Sequence, residues 1–294
     1  MNSLRSSSLV VAAAIAMAAF GAAPIAQGTA STQRGGAAKP GPKPTTTPAP
    51  KATPAPKTPP PPTDPREIVA ETQKRATVTS QHYEGTLQVL ESGGKVSTKH
   101  WTYDRLGSNG ASKTIIRFTE PAEVKGVALL IFNYPDRASD QWMWTPALNR
   151  ERRVATQDRR TRFFGTDFSF EDLEERDVAR SQYVMSGTET IDGQACWKIE
   201  STPLAGARSQ YTKAILWIRK SNFTYAQIDN YTDAKLIRRI SYKNMEQVQG
   251  VWTARTLDVQ DFTRNSRTTL TLDALKYNVP LTDSQFTIEA LRRG

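Results

Sequence analysis

Side chains that commonly carry out catalysis or bind metals are scarce in this sequence. It contains two histidines, His82 and His100, and a single cysteine, Cys196. A site built from several imidazoles or thiolates is therefore excluded, and so is an intrachain disulfide. The glycine and serine motifs of dinucleotide-binding proteins, P-loop proteins and α/β-hydrolases do not occur. We predict that the protein is not an enzyme, that it uses no cofactor and no metal, and that Cys196 is a small buried residue rather than a nucleophile.

The pattern richest in chemistry is a run of arginines followed by a run of phenylalanines. Six arginines fall between positions 150 and 162, and segment 163–173 then carries Phe163, Phe164, Phe168 and Phe170. Burying one phenylalanine is favourable by about 1.5–3 kcal/mol, so four of them together would be costly to leave in water. They either plug the open end of a sheet or contact an apolar ligand.

Acidic residues follow the phenylalanines, and they have two interpretations. Ser169 with Asp172 three residues later is a capping pattern, which predicts that a short helix begins there. The acids could pair with the preceding arginines or could suggest a metal site. No histidine or cysteine accompanies them, and a helix start explains Glu171 and Asp172 equally well, so a metal is disfavoured.

One helix and a long series of strands must position these residues. Asp64 as N-cap, Pro65 in the first turn and Glu67 three residues after the cap predict a helix that runs to about Val78. The hydrophobic period then changes from 3.6 to 2, and turn residues separate short strands. The predicted strands are 83–90, 96–105, 113–119, 127–134, 141–145, 152–156, 182–189, 195–201, 211–219, 224–231, 236–243, 253–263 and 267–278.

Evenly spaced strands with hairpin turns predict one mainly β domain over 64–294, a large curved antiparallel sheet or half-open barrel. Such a sheet needs something on its inner face. Trp101 and Tyr103 share one face of their strand, and Trp142 and Trp144 share one face of theirs. These four aromatic residues are either core or the lining of a cavity for an apolar ligand.

The N-terminal part has a different composition. Residues 1–26 have the layout of a cleaved signal peptide, with Arg5 ahead of an apolar run; an uncleaved anchor is the alternative. Residues 27–63 are rich in Pro, Thr, Ala and Lys and predict a disordered or extended linker. Residues 1–63 carry six basic and no acidic residues, so only +4 of the net charge of +10 belongs to 64–294. This distribution argues against a nucleic-acid binder.

Two stretches resemble a known family. The sequence DQWMWTPALNR at 140–150, the arginine-rich strand after it and FFGTDFSFEDL at 163–173 resemble the outer-membrane lipoprotein-sorting proteins, relatives of the periplasmic carrier LolA. The resemblance covers about 66–292. It implies a half-open antiparallel barrel closed by helices, which holds acyl chains in an apolar cavity in a bacterial periplasm.

We therefore predict a periplasmic, monomeric carrier that binds the acyl chains of a lipoprotein or lipid for transfer toward the outer membrane. An inner-membrane transporter and an outer-membrane acceptor are its candidate partners. The phenylalanines and Leu173 are predicted to form a lid over a cavity walled by Trp101, Tyr103, Trp142 and Trp144. The predicted contacts to an anionic headgroup are Arg150, Arg152 and Arg153. The alternative is an envelope protein without a transport role, which uses the arginine-rich strand to bind anionic cell-envelope polymers.

Overall fold

The computed structural model describes residues 62–135, 137–175 and 178–293. The predicted signal peptide and all but the last two residues of the predicted linker lie outside the described residues, so the domain boundaries remain predictions. Within the described part of the chain, no helix has the length and apolar character needed to cross a membrane.

Helix α1, Pro65–Arg75, begins where the capping pattern predicted. The Asp64 carboxylate accepts hydrogen bonds from the backbone N–H groups of Arg66 and Glu67, at 2.7 and 3.3 Å. The helix ends earlier than the predicted Val78. Ser108 exchanges hydrogen bonds with the backbone N–H and C=O of Val78, at 3.2 and 2.6 Å, and these bonds tie the chain to the end of β2 just before β1 begins.

All of the strands that the alternation predicted are present, with boundaries shifted by a few residues. Their bounds are β1 Ser80–Leu90, β2 Val96–Ser108, β3 Ala111–Glu120, β4 Ala128–Asn133, β5 Asp140–Thr145, β6 Arg150–Arg153, β7 Ser181–Ile191, β8 Gln194–Pro203, β9 Lys213–Arg219, β10 Tyr225–Thr232, β11 Lys235–Val248, β12 Val251–Asp261 and β13 Ser266–Tyr277. A short helix, α2 Ile288–Arg292, follows.

The strands form one open, curved antiparallel sheet, which confirms the predicted fold class. Its order is β6-β5-β4-β3-β2-β1-β13-β12-β11-β10-β9-β8-β7, so that β6 and β7 are the two edges. All paired strands are consecutive in sequence except at the centre, where β1 pairs with β13 from Leu90↔Arg267 to Gln81↔Tyr277. This one long-range pairing joins the two halves of the chain into a single sheet.

The two faces of the sheet bury different sets of side chains. The inner face carries the main core together with Ile68 and Val69 of α1 and the phenylalanines of the segment between β6 and β7. The outer face is covered only in places. At one place α2 and Phe286 pack on β4 and β5, and at another Cys196 packs against Ile215 and Trp217. The inner face is therefore where a ligand cavity has to be sought.

Candidate functional site

The segment 161–175, called the plug below, lies against the inner face of β1–β3 and β13. The side chains of Phe163, Phe168 and Phe170 are buried, and Phe164 is half-buried. The Phe163 ring stacks on Phe118 with centroids 5.3 Å apart, and Trp101 lies 6.2 Å from both Phe163 and Phe168. These rings form the densest aromatic cluster of the inner face.

A tight turn brings the phenylalanines together. Phe164 and Gly165 both have positive φ, 44° and 78°, and the Thr166 N–H donates to the carbonyl of Phe163 at 3.0 Å. Two successive residues in this left-handed region make a turn of the kind that closes hairpins, for which Gly is the favoured second residue. Phe163 and Phe168 are therefore paired across the turn, with the N–H of Phe163 donating to the carbonyl of Phe168 at 2.8 Å.

Acidic side chains of the plug bind polar residues that the sheet presents on its inner face. The carboxylate of Asp167, fully buried, accepts hydrogen bonds from Ser266, from Thr268 at 2.8 Å and from Arg162 at 3.0 Å. The Asp167 N–H also donates to the Thr268 hydroxyl at 2.8 Å. Because Ser266 and Thr268 belong to β13, these bonds fasten the turn of the plug to the centre of the sheet.

A second anchor is a buried network around Arg238 of β11. Its guanidinium donates to Asp172 of the plug, to the Tyr211 hydroxyl at 2.5 Å and to Asp261 at 3.2 Å. Burial, together with the Asp172 carboxylate, raises the pKa of Tyr211 well above its ordinary value, so this phenol stays protonated. It donates to Asp172 at 2.9 Å. Ser169 and Asp172 form the predicted capping hydrogen bonds, but the predicted helix is only a 3₁₀ turn, Glu171–Leu173, which ends where Glu174 returns to extended backbone.

Two further ion pairs hold the end of the plug. Glu174 accepts hydrogen bonds from Arg159 through both oxygens, and burial raises the pKa of this carboxyl against the opposing effect of Arg159. Glu175 accepts from Arg105 of β2, from Ser112 at 2.9 Å and from the N–H of Gly110 at 2.8 Å. Of the acids that follow the phenylalanines, Glu174 pairs with an arginine of the preceding run, Arg159, whereas Arg162 of that run pairs with Asp167 between the phenylalanines.

The four predicted wall residues separate into two pairs on opposite faces. Trp101 and Tyr103 lie on the inner face, where the Tyr103 ring stacks on Tyr83 at 4.5 Å. Trp142 and Trp144 lie on the outer face, where they pack with Phe286 and Leu291. The prediction that these two tryptophans line the cavity is therefore corrected. The alternation of β5 favours turning these tryptophans inward, but its inner face carries Gln141 and Met143, and Gln141 donates to the backbone carbonyl of Phe170 in the plug at 3.0 Å.

The three arginines predicted to meet a headgroup are also dispersed. Arg153 pairs with Asp140, and Arg152 pairs with Asp158 at 3.2 Å. Arg150 is exposed at the start of β6. The three side chains therefore do not converge on one point.

An apolar cavity of about 620 Å³ lies elsewhere on the inner face, between α1 and β10–β12. That volume is within the range of small-molecule binding sites. The exposed surface inside it is mostly apolar and comes from Phe223, Tyr225, Ile228, Ile240, Tyr242, Met245, Trp252, Ala254, Leu257 and Leu272. Tyr242 and Leu257 are only partly buried although they face inward.

Turns between strands form one end of this cavity, and the plug forms one of its sides. The turns contribute Asn109 between β2 and β3, Asn222 between β9 and β10, and Gly250 between β11 and β12. On the plug side Asp172, Glu174 and Glu175 border the cavity, and Arg105 pairs with Glu175 there. The arrangement offers apolar walls with acidic groups on the plug side and Arg75 on the α1 side, where its guanidinium lies over the Phe223 ring at 4.0 Å.

The sequence predicted β10, β11 and β12 as strands, but it gave no reason to choose them as the lining of a cavity. The lining side chains of β10, β11 and β12 alternate with polar ones like those of any half-buried strand. The only distinguishing signal is a cluster of aromatic residues at 223, 225, 242 and 252 in the second half of the chain. The plug has a denser aromatic motif, yet it fills the other half of the inner face.

The part of the chain that the structure describes contains no group of three or more His, Cys, Asp or Glu side chains arranged to hold a metal ion. Cys196 is buried on the outer face, where burial raises the pKa of its thiol. The thiol therefore lies on the opposite face from the cavity and the plug.

Comparison with known proteins connects this architecture to a family. A family model described as "Uncharacterized protein" matches residues 110–293, and a search of curated proteins found no match. A DUF1329 family protein from Desulfovibrio piger is 28% identical, with a TM-score of 0.74 over 78% of this chain and 100% of that chain.

Two further solved structures share the fold. An outer membrane lipoprotein-sorting protein domain from Vibrio parahaemolyticus is 24% identical, with a TM-score of 0.73 over 78% of this chain and 98% of that one. A LolA superfamily protein from Nitrosomonas europaea is 18% identical, with a TM-score of 0.61 over 77% of this chain and 99% of that one. The predicted resemblance is confirmed: the chain belongs to the family whose model spans residues 110–293, and it has the fold of the lipoprotein-sorting and LolA superfamily proteins.

Proposed function

We propose that the protein carries a lipid, or a lipoprotein by its acyl chains, through the periplasm toward the outer membrane. The observation that supports this most directly is the apolar cavity between α1 and β10–β12, which the side chains of the protein leave unfilled. A sheet of this size would normally cover its inner face with its own core. Here the plug covers one half, and the other half keeps partly exposed apolar side chains such as Leu257.

The energetics suit reversible binding of an acyl chain. Each buried methylene contributes about 0.8 kcal/mol, so about twelve of them contribute about 10 kcal/mol, from which association subtracts at least about 4 kcal/mol. Binding of this strength is enough to collect a chain from water and weak enough to release it. A carrier has to do both, whereas a structural lipid would be held by a closed cavity.

The comparisons and the sequence support the proposed cargo and the proposed compartment. Two of the structural relatives are described as lipoprotein-sorting or LolA superfamily proteins. The apolar run after Arg5 favours export, which would place the protein in the periplasm. An inner-membrane transporter as donor and an outer-membrane acceptor are the partners that such a carrier would need.

The predicted lid is retained as part of the proposal. A chain too long for the cavity would need more apolar surface, and the nearest supply lies beneath the plug. There Trp101 and Tyr103 face Phe163, Phe164, Phe168, Phe170 and Leu173. Exchanging ring contacts for chain contacts would be nearly neutral in buried apolar area. The plug would then move only when a long cargo compensates for the loss of its anchors.

The proposal is tested by placing a charge in the cavity. Leu257→Asp introduces a carboxylate where the acyl chain would lie, and an unpaired charge in an apolar site is costly. We expect the affinity for a fluorescent fatty acid to fall at least about tenfold, since each factor of ten corresponds to only about 1.4 kcal/mol. The matched control is Leu148→Asp, which makes the same chemical change at a side chain that is 71% exposed.

Circular dichroism and the unfolding midpoint would establish that both variants are folded. Unchanged fatty-acid binding by a folded Leu257→Asp protein would contradict the proposed site. No measurable binding of any fatty acid or lipoprotein by the wild-type chain would contradict the carrier function itself.

A further inference from the structure

A second, basic cleft lies near the β6 edge of the sheet. It has a volume of about 890 Å³ and lies between the β4–β5 loop, the chain that follows β6 and the β8–β9 loop. Asp140 is the single acidic residue among the described residues that line it. Its five basic residues are Arg137, Arg153, Arg159, Arg180 and Arg208.

The positive charge of this cleft is only partly compensated. Arg137, at 2.8 Å, and Arg153 both pair with Asp140, so one carboxylate serves two guanidinium groups. The charge of Arg159 is neutralised by Glu174, which does not itself line the cleft. One full positive charge therefore remains on the side of the cleft that the β4–β5 loop and β6 form.

The opposite side carries two arginines that have no carboxylate partner among the described residues. Arg180 donates to the backbone carbonyls of Arg137, at 3.4 Å, and of Ala207, at 3.1 Å. Arg180 thus reaches from one side of the cleft to the other. Arg208 is exposed, with φ of 52°, and forms no ion pair within the described part of the chain. The described lining therefore has a net charge of +3 once Glu174 is counted.

A small pocket lies between the cleft and the apolar cavity. This pocket, of about 120 Å³, shares Arg159 and Arg180 with the lining of the cleft. It shares Asp172, Glu174 and Glu175 with the lining of the apolar cavity. The cleft and the cavity are therefore neighbouring sites, which suit the anionic head and the apolar tail of one molecule.

We infer that the basic cleft is a binding site for a phosphate or carboxylate group, with Arg180 and Arg208 as the main contacts. Guanidinium groups bind both kinds of oxyanion through paired, charge-assisted hydrogen bonds. The group could belong to the headgroup of a lipid cargo or to free phosphate. The inference itself does not require the apolar cavity to be occupied.

The test is calorimetric titration of the full chain at low ionic strength. The probes are inorganic phosphate, dodecyl phosphate and, as a neutral counterpart, dodecanol. The double variant Arg180→Gln/Arg208→Gln should weaken binding of both phosphates about tenfold or more, because two charge-assisted hydrogen-bonding groups are lost. Arg208→Gln alone should weaken both measurably, and because Arg208 forms no ion pair with any described residue, its folding should not be affected. Arg264→Gln, at an exposed arginine in the β12–β13 turn, should have no effect.

Two results would overturn the inference: no saturable binding of either phosphate by the wild-type chain, or equal affinities for the wild-type and Arg208→Gln proteins. Tighter binding of dodecyl phosphate than of inorganic phosphate by the wild-type chain supports the site with a lipid headgroup as its ligand. Equal binding supports it with free phosphate. Phosphate binding without any binding of dodecanol or fatty acids would refute the carrier function and leave this inference standing; fatty-acid binding without phosphate binding would do the reverse.

Discussion

At the scale of single residues, Gly85 is present because of the side chain that lies over it. Gly85 of β1 is directly opposite Trp101 of β2, and a Cβ atom at position 85 would overlap the indole of Trp101. The absence of a side chain lets the Trp101 ring lie flat against the sheet, beneath Phe163 and Phe168. A glycine in one strand thus sets the position of the aromatic cluster.

Gly85→Ala should lower the free energy of unfolding by about 1–3 kcal/mol, because the indole and the plug have to shift. Urea unfolding measures the change. Gly93→Ala is the matched control, since a Cβ there meets nothing within 4 Å, and its stability should stay close to that of the wild type. A Gly85→Ala protein as stable as the control would mean that the Trp101 ring is not confined at this position.

Asp261 connects a single side chain to the pH dependence of stability. Burial alone would raise the pKa of Asp261, but hydrogen bonds from Thr263 and the charge of Arg238 lower this pKa below its ordinary value. The unfolded chain therefore binds this proton more readily than the folded chain does. The stabilisation is present above the ordinary carboxyl pKa of about 3.9 and is lost as the pH falls through the lower folded value.

Asp261→Asn should accordingly reduce the loss of stability between neutral pH and about pH 3. Urea unfolding of the wild-type and Asp261→Asn proteins at a series of pH values measures how the free energy of unfolding of each depends on pH. The variant should be less stable than the wild type at pH 7, and this difference should narrow on acidification. Parallel curves for the two proteins would refute the assignment of this pH dependence to Asp261.

At the scale of elements, the plug is a segment held mainly by its acids. Asp167 and Asp172 contact β13 and β11, and Glu174 and Glu175 contact Arg159 and Arg105. The phenylalanines contribute apolar area, whereas these polar contacts decide where the plug rests. An opening motion would have to break them together, because they are spread along the whole segment.

Asp167→Ala should destabilise the protein by about 3–5 kcal/mol, because it leaves Arg162, Ser266 and Thr268 without their buried partner. Hydrogen exchange should become faster over 161–175 in particular. The control is Asp158→Ala. Asp158, the ion-pair partner of Arg152, is more exposed than Asp167, so its loss should lower the free energy of unfolding by no more than about 1 kcal/mol. Equal protection of the plug in the Asp167→Ala and wild-type proteins would show that Asp167 does not hold it.

At the scale of the whole molecule, the sheet is continuous but never closes on itself. Its edges are β6, four residues long and rich in arginine, and β7, whose residues are mostly polar. Short or charged edge strands disfavour pairing with other chains. Because β6 and β7 do not pair, the sheet stays open between its two edges. This leaves room for the apolar cavity on the inner face and for the basic cleft near the β6 edge.

Deleting residues 27–61 should shift the midpoint of thermal unfolding by less than about 2 °C, the smallest shift that a loss of 1 kcal/mol would produce in a domain of this size. The reason is compositional, since a segment rich in Pro, Thr and Lys has little apolar surface to bury. Scanning calorimetry of the shortened and full chains measures the shift. A large decrease would show that this segment packs on the domain.

The local structure of this protein can be predicted from its sequence alone. The Asp64 cap and Pro65 predict where α1 begins, and the period-2 alternation predicts each of the strands, because both signals arise between residues close together in the chain. The family resemblance was likewise carried by two short contiguous stretches, 140–150 and 163–173.

Which face of each strand turns inward, and which space the side chains leave unfilled, depend on tertiary packing. The alternation of β5 favours turning Trp142 and Trp144 inward, but its pairing with β4, which is apolar on both faces, and the covering by α2 place them on the outer face. The partners of Arg159 and Arg238 lie 15 to 66 residues away in the chain. A cavity is the space left after all side chains are packed, and a cleft between distant loops depends on how the sheet curves. Neither property belongs to any stretch of sequence, because both result from long-range packing of the whole sheet.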